Sequence, residues 1–173
     1  VAGTLREHFD DVLQPAPGEE GRLVEPGHHY EWCWLLHRYQ QASGDSRHAA
    51  LAAALYDFAE AHGLDAGSGS VIDAVDCDGA PAQRSRRCWP QTEAIKAHVA
   101  RFEATGDPAI GRRIEDQAGA LYRAHLAGMP TGAWREHLGP DGAPIASALP
   151  ASTLYHMTLA AAELDRLRRD GSA

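Results

Sequence analysis

The sequence predicts an all-α chain interrupted by two short β-hairpins. Three observations carry that expectation. Six segments space their apolar residues at helical intervals, and proline or glycine signals punctuate the ends of most of them. Alanine-rich runs, Ala49 to Ala54 and Ala160 to Ala162, suit close helix–helix packing.

The first helix is expected over Leu5 to Leu13, running into the Pro/Gly-rich loop Gln14 to Gly21. The second begins near His28, directly after Pro26-Gly27, and continues to about Gln41, stopping at Ser43-Gly44. The third, Arg47 to His62, puts Leu51, Leu55, Phe58 and His62 on one stripe and ends at Gly63. The fourth opens with Trp89-Pro90, proline being tolerated in a first turn, and carries Ile95, Val99 and Phe102. The fifth opens with Asp107 as N-cap and Pro108 at N1, then runs through Ile110, Ile114, Leu121 and His125. The sixth takes Ser152 as its cap and extends to about Arg169.

Two connections read as hairpins. Val71 to Asp76 and Ala80 to Arg86 flank the turn Asp78-Gly79. Trp134 to Leu138 and Ala143 to Ala148 flank Pro140-Asp-Gly142. The run Gly67-Ser-Gly-Ser70 precedes the first hairpin and reads as a loop, so the whole chain, 1–173, is expected to be a single domain. Val1-Ala-Gly leads into the first helix with no cap signal and no initiator methionine, the start expected of a fragment.

Bulk properties narrow the function. At 173 residues, 44% hydrophobic and 23% charged, the chain can build a sizeable core. A net charge of −8 argues against nucleic acid as a partner, because binding it relies on Lys and Arg neutralising phosphates. No apolar run reaches the length of a membrane span and no basic-then-apolar leader opens the chain, so neither a membrane nor secretion is expected. Cys33, Cys77 and Cys88 are odd in number and lack CxxC spacing, which reads as reduced thiols in a cytoplasmic protein.

Chemistry gathers at three helix starts. In Glu25-Pro-Gly-His-His-Tyr-Glu-Trp32, His28, Glu31 and Trp32 share one face at spacings of three and four. A helix N-terminus disfavours imidazolium, which would keep His28 neutral and able to accept a proton, while Glu31 pulls the other way. The plainer reading is that His28 and His29 cap backbone groups. In Arg86-Arg-Cys-Trp-Pro-Gln-Thr-Glu93, the Trp89 indole and the Glu93 carboxylate again share a face. Indole faces stack on the C–H side of sugars and carboxylates bind hydroxyls, whereas a hydrophobic staple with an acidic first turn is the commoner explanation. In Leu149-Pro-Ala-Ser-Thr-Leu-Tyr-His156, His156 repeats the helix-start placement of His28. The three starts would converge at one end of a helical barrel. Other chemistries fail sooner: there is no HxxxH or HExxH for a metal, no lysine-bearing phosphate loop and no GxSxG. His37, His48, His62, His98, His125 and His137 read as surface or packing residues.

Taken in order, Glu25–Trp32, Trp89–Glu93, the Trp134…Asp141-Gly142 hairpin and Tyr155-His156 resemble the N-acylglucosamine 2-epimerase superfamily, which includes cellobiose 2-epimerases and mannose isomerases. The resemblance covers the chain from about Leu5 onward. It implies an (α/α)6 barrel with about half of the barrel present, namely its C-terminal half. It implies that His28 and His156 are the catalytic histidines and that Glu31, Trp32, Trp89 and Glu93 line the sugar. The implied reaction takes the C2 proton from an open-chain aldose, giving an enediolate that reprotonates to a 2-epimer or a ketose. That chemistry calls for no cofactor and no metal, and its partner is a small-molecule sugar. A homodimer, or association with the missing N-terminal half, would complete the barrel. Ala151 and Leu159 stand where some members carry a tryptophan and a basic residue, which favours a monosaccharide such as mannose or fructose. Two other readings remain: a glycoside hydrolase using Glu31 and Glu93 as its carboxylate pair, and a non-catalytic sugar-binding half-domain.

Overall fold

The computed structural model describes residues 4–171; Val1, Ala2 and Gly3, on which the chain's opening was read, lie outside them. Among the described residues there are five α-helices: α1 (Pro26–Ser43), α2 (Ala49–His62), α3 (Cys88–Thr105), α4 (Pro108–Leu121) and α5 (Ala151–Asp170). They form the expected helical hairpins. α3 is the centre, buried without interruption from Pro90 to Ala100 and packed against α1, α4 and α5, while α2 covers α1. No helix among the described residues is long and apolar enough to cross a membrane.

Gly44 and Asp107 act where the sequence placed them, but α1 begins two residues earlier than expected, with Pro26 and Gly27 inside its first turn rather than in a turn ahead of it. Pro26 occupies the first turn of α1, and Gly44 ends it in the left-handed conformation, φ 74°, its N–H donating to Gln40 O. Gly106 repeats that device at the end of α3 (φ 67°). Asp107 caps α4 by accepting the Ala109 N–H at 2.8 Å. α4 passes into one π-helical turn, Tyr122–Leu126. α5 begins one residue ahead of the expected cap, with Pro150 rather than Ser152 at the N-cap position.

The expected first helix, Leu5 to Leu13, does not form. Leu5 gives its N–H to His29 Nε2 at 3.0 Å. Asp10 Oδ1 accepts the N–H groups of Val12 and Gln14 at 3.0 and 2.8 Å, and Leu13 turns through φ 61°. Local side-chain bonds of this kind compete directly with helical ones. The segment instead folds back through a Phe9–Pro15 bridge.

The first hairpin forms between β2 (Ala74–Asp76) and β3 (Pro81–Gln83), and β1 (Leu23–Val24) adds to its free edge to give the order β1-β2-β3. The second is only partly a hairpin. Leu138 bridges Pro144, but β5 (His137–Leu138) takes β4 (Arg86–Arg87) as its strand partner, pairing Arg86 with Leu138 and Arg87 with His137. Three buried clusters hold these layers together. Tyr30, Cys33, Tyr56 and Ala97 join α1, α2 and α3; Cys88, Ile95, Leu121, Trp134 and Ala160 join α3, α4 and α5; Val24, Ile72, Val75 and Cys77 sit beneath the three-stranded sheet.

Candidate active site

The starts of α1, α3 and α5 meet, and each contributes a ring. The His28 and Trp89 ring centroids are 5.0 Å apart, and those of Trp89 and His156 5.3 Å. One indole therefore touches both imidazoles. Tyr155 stacks on His156 at 4.0 Å. Gly27 permits this closeness: a Cβ there would lie 2.7 Å from Trp89 Cη2 and 3.0 Å from Pro90 Cβ.

His28 is anchored through Nδ1, 2.8 Å from Glu7 Oε2. The other Glu7 oxygen accepts the Glu25 N–H at 2.9 Å, so the carboxylate is fixed from both sides. This bond decides the charge of His28. Its pKa is raised, first by the Glu7 hydrogen bond and then by the fields of Glu7, Glu25 and Glu31, against partial burial. The helix-terminus argument for a neutral imidazole is outweighed by a carboxylate from a segment read as a separate helix. Glu7 is itself lowered; burial acts against ionisation, but the His28 and Glu25 N–H hydrogen bonds and the nearby histidines outweigh it. His29, by contrast, is a structural residue. It is fully buried, accepts the Leu5 N–H, and is pushed down to about 4 by burial.

His156 is held by a second carboxylate. Its Nδ1 lies 2.6 Å from Glu93 Oε1, and Glu93 Oε2 lies 2.8 Å from Lys96 Nζ. Glu93 and Lys96 have no exposed side-chain surface. The ammonium contacts the carboxylate off the line of a hydrogen bond and sits 4.0 Å from the centroid of the Trp34 ring, whose Nε1–H donates to Glu163. Glu93 thus stands behind His156 with both oxygens engaged. With Nδ1 committed in both histidines, Nε2 is the ring nitrogen left for chemistry.

Glu31 faces the same place from α1, accepting the Tyr155 hydroxyl at 3.0 Å. Trp32 points elsewhere. It is 46% exposed, makes none of the ring contacts found among the described residues, and lies on a stripe with Leu35 and Tyr39, also exposed. Glu31, Glu93 and His156 bring one donor atom each within 4.8 Å of one another, the spacing of a cation site. Lys96 already supplies positive charge to that carboxylate.

Residues that local spacing did not single out complete the site. Arg87 lies over the Trp89 ring at 5.4 Å and is clamped by Glu25 (2.8 Å) and Asp73 (3.1 Å). Asp73 is buried and also binds His137 and Ser85. Glu7, Lys96 and Asp73 carried no local signal, and Arg87 stood in the candidate segment Arg86 to Glu93 without a role of its own. Each is paired across at least one loop or one turn of helix.

Helical hairpins whose starts bring two anchored histidines onto one indole define the class: part of an α/α toroid, with the candidate site at those helix starts. The family model for N-acylglucosamine 2-epimerase matches residues 1–160, and the chain belongs to that family. It is 37% identical over 167 residues to mannose-6-phosphate isomerase of Rhizobium meliloti (strain 1021), covering 95% of this chain and 43% of that protein. It is 33% identical over 142 residues to N-acylglucosamine 2-epimerase of Bos taurus, covering 79% of this chain and 33% of that one. Among solved structures, a D-mannose isomerase superposes with a TM-score of 0.75 at 23% identity, over 83% of this chain and 37% of that one. Cellobiose 2-epimerase from Spirochaeta thermophila DSM 6192 does so at 0.74 and 18%, over 84% and 39%. These two likenesses bear on the fold. The chain spans less than half the length of each of these relatives.

Proposed function

We propose that this chain supplies the catalytic histidines of a sugar isomerase or 2-epimerase, acting on an aldose through an enediolate. The observation that carries the proposal is the pair of imidazoles on one indole, each tied through Nδ1 to a carboxylate that leaves Nε2 outward. His156 Nε2 is the base that takes the C2 proton, its tautomer fixed by Glu93. His28, whose raised pKa favours imidazolium, is the acid that stabilises charge developing on the sugar oxygens. Delivery of a proton to the opposite face of C2 gives the 2-epimer. Delivery to C1, with loss of the O2 proton, gives the ketose. Trp89 packs the sugar's C–H face and Glu31 takes hydroxyls.

A mannose-type monosaccharide is the favoured substrate, in keeping with the relative named as a mannose-6-phosphate isomerase and the neighbour named as a D-mannose isomerase. The single domain is then the C-terminal half of the toroid. The exposed stripe Trp32, Leu35 and Tyr39 is the face where the N-terminal half, or a second copy, would pack. The buried, unpaired cysteines suit a reducing compartment such as the cytoplasm. The hydrolase reading is disfavoured because Glu93 has no exposed side-chain surface and sits against Lys96, unable to reach a glycosidic bond. The test is to incubate the intact protein with D-mannose and, in parallel, with an alkyl mannoside, and follow products by NMR. Fructose or glucose formation, lost in His156→Ala, is expected; release of sugar from a glycoside with no epimer or ketose formed would overturn the proposal.

A further inference from the structure

The strand β4 separates two environments. Arg87 and its cross-strand partner His137 both bind Asp73, and Arg87 lies over the Trp89 ring of the candidate active site. Arg86, the next residue, points its side chain to the opposite side of the ribbon, as alternation along a strand requires. There it lines a cavity of about 560 Å³ together with Arg123, Arg135, Ser68, Ser70 and Gly142.

This second cavity is built for negative charge. Three guanidinium groups line it, and among its described lining residues none is acidic, in a chain whose net charge is −8. Arg86 is only 7% exposed and is held rigidly, donating from Nη1 to Ser68 Oγ (2.9 Å) and from Nη2 to Gly139 O (2.9 Å) and Pro140 O (3.2 Å). Its Nε is buried without a hydrogen-bond partner, which leaves a charged donor unsatisfied. One carboxylate, Asp65, stands 4.0 Å from Arg86 Nη1. Arg135 is likewise fixed, donating to Ala124 O and Ala127 O at the end of the π-helical turn. Arg123, on that same turn, is exposed and completes the ring. Rigid guanidinium groups interleaved with serine hydroxyls are the pattern that binds a phosphate-like dianion.

We propose that the cavity bounded by Arg86, Arg123 and Arg135 is a binding site for a phosphate group, separate from the sugar site and on the other face of β4. The proposal does not depend on the sugar reading, and its test does not use activity. Inorganic phosphate and glycerol phosphate are titrated into the intact protein at low ionic strength by calorimetry, beside Arg123→Glu. Arg123 is the residue to change because it is exposed and holds none of the loop carbonyls that Arg86 and Arg135 hold. The expected result is phosphate binding that sulfate displaces, equal ionic strength of chloride does not, and Arg123→Glu weakens by at least about tenfold. A tighter fit for glycerol phosphate would identify the natural ligand as a phosphate ester, and a tighter fit for the free ion would identify inorganic phosphate. No binding, or binding that Arg123→Glu leaves unchanged in a variant with wild-type circular dichroism, would overturn the site.

Discussion

Removing the charge of Lys96 tests whether the buried Glu93–Lys96 pair holds His156. The two charges are 2.8 Å apart with no exposed side-chain surface. At an effective dielectric of about 20 they attract by about 6 kcal/mol, most of which offsets the cost of taking both out of water. Lys96→Met removes the attraction while Glu93 remains buried, so it should destabilise the intact protein by about 3–5 kcal/mol. Glu93→Gln strands the ammonium over Trp34 and should cost a similar amount. The double variant Glu93→Gln/Lys96→Met buries no charge and should be more stable than either single one, a coupling of several kcal/mol. Urea denaturation of the three variants gives the cycle. Additivity within about 0.5 kcal/mol, or a Lys96→Met cost below about 1 kcal/mol, would refute the reasoning. Glu93→Gln/Lys96→Met should still lose turnover, because the carboxylate that fixes the His156 tautomer is gone.

Three further outcomes follow from the same geometry. Glu7→Gln removes the main cause of the raised His28 pKa, so an NMR titration should show it falling toward its ordinary value. The associated stability is present below about pH 6.5 and lost as pH rises through the folded-state value, so the wild-type advantage over Glu7→Gln should shrink in that direction. Gly27→Ala pushes a methyl into Trp89 and Pro90, and should cost about 1–3 kcal/mol with a shifted Trp fluorescence spectrum and a raised KM. His29 and His98 are buried and pushed down to about 4 and about 3. For both, stability is present above the unfolded value near 6.5 and lost as pH falls through the folded ones. His29→Gln should therefore soften the acid transition measured by circular dichroism.

The architecture was legible where the chain carries its own punctuation. Pro26, Gly44 and the Asp107-Pro108 pair mark helix ends without tertiary help. The segment Leu5 to Leu13 misled because its helical spacing competes with bonds invisible in sequence, above all the Leu5 N–H to His29 and the Asp10 turn. The candidate site was legible as three helix starts, since His28 and His156 follow a proline signal and Trp89 directly precedes one. Its electrostatics was not. Lys96 carried no sign of burial in the sequence, yet lies at the centre of the fold because α3 is enclosed from Pro90 to Ala100. Glu7 reaches His28 across 21 residues, and no spacing rule connects them. Trp32 shows the limit of helical-face arguments: one hundred degrees of rotation from Glu31 takes it off the indole–imidazole cluster and onto the exposed stripe with Leu35 and Tyr39.

In the proposed reaction, the two anchored histidines move a proton at C2 of a sugar. The most direct measurement is solvent deuterium incorporation at C2 of D-mannose, catalysed by the intact protein in heavy water and read by NMR. Deuterium should enter C2 with the wild type, and incorporation should be abolished in His156→Ala and strongly reduced in His28→Ala. Incorporation that proceeds unchanged in both variants would contradict the account.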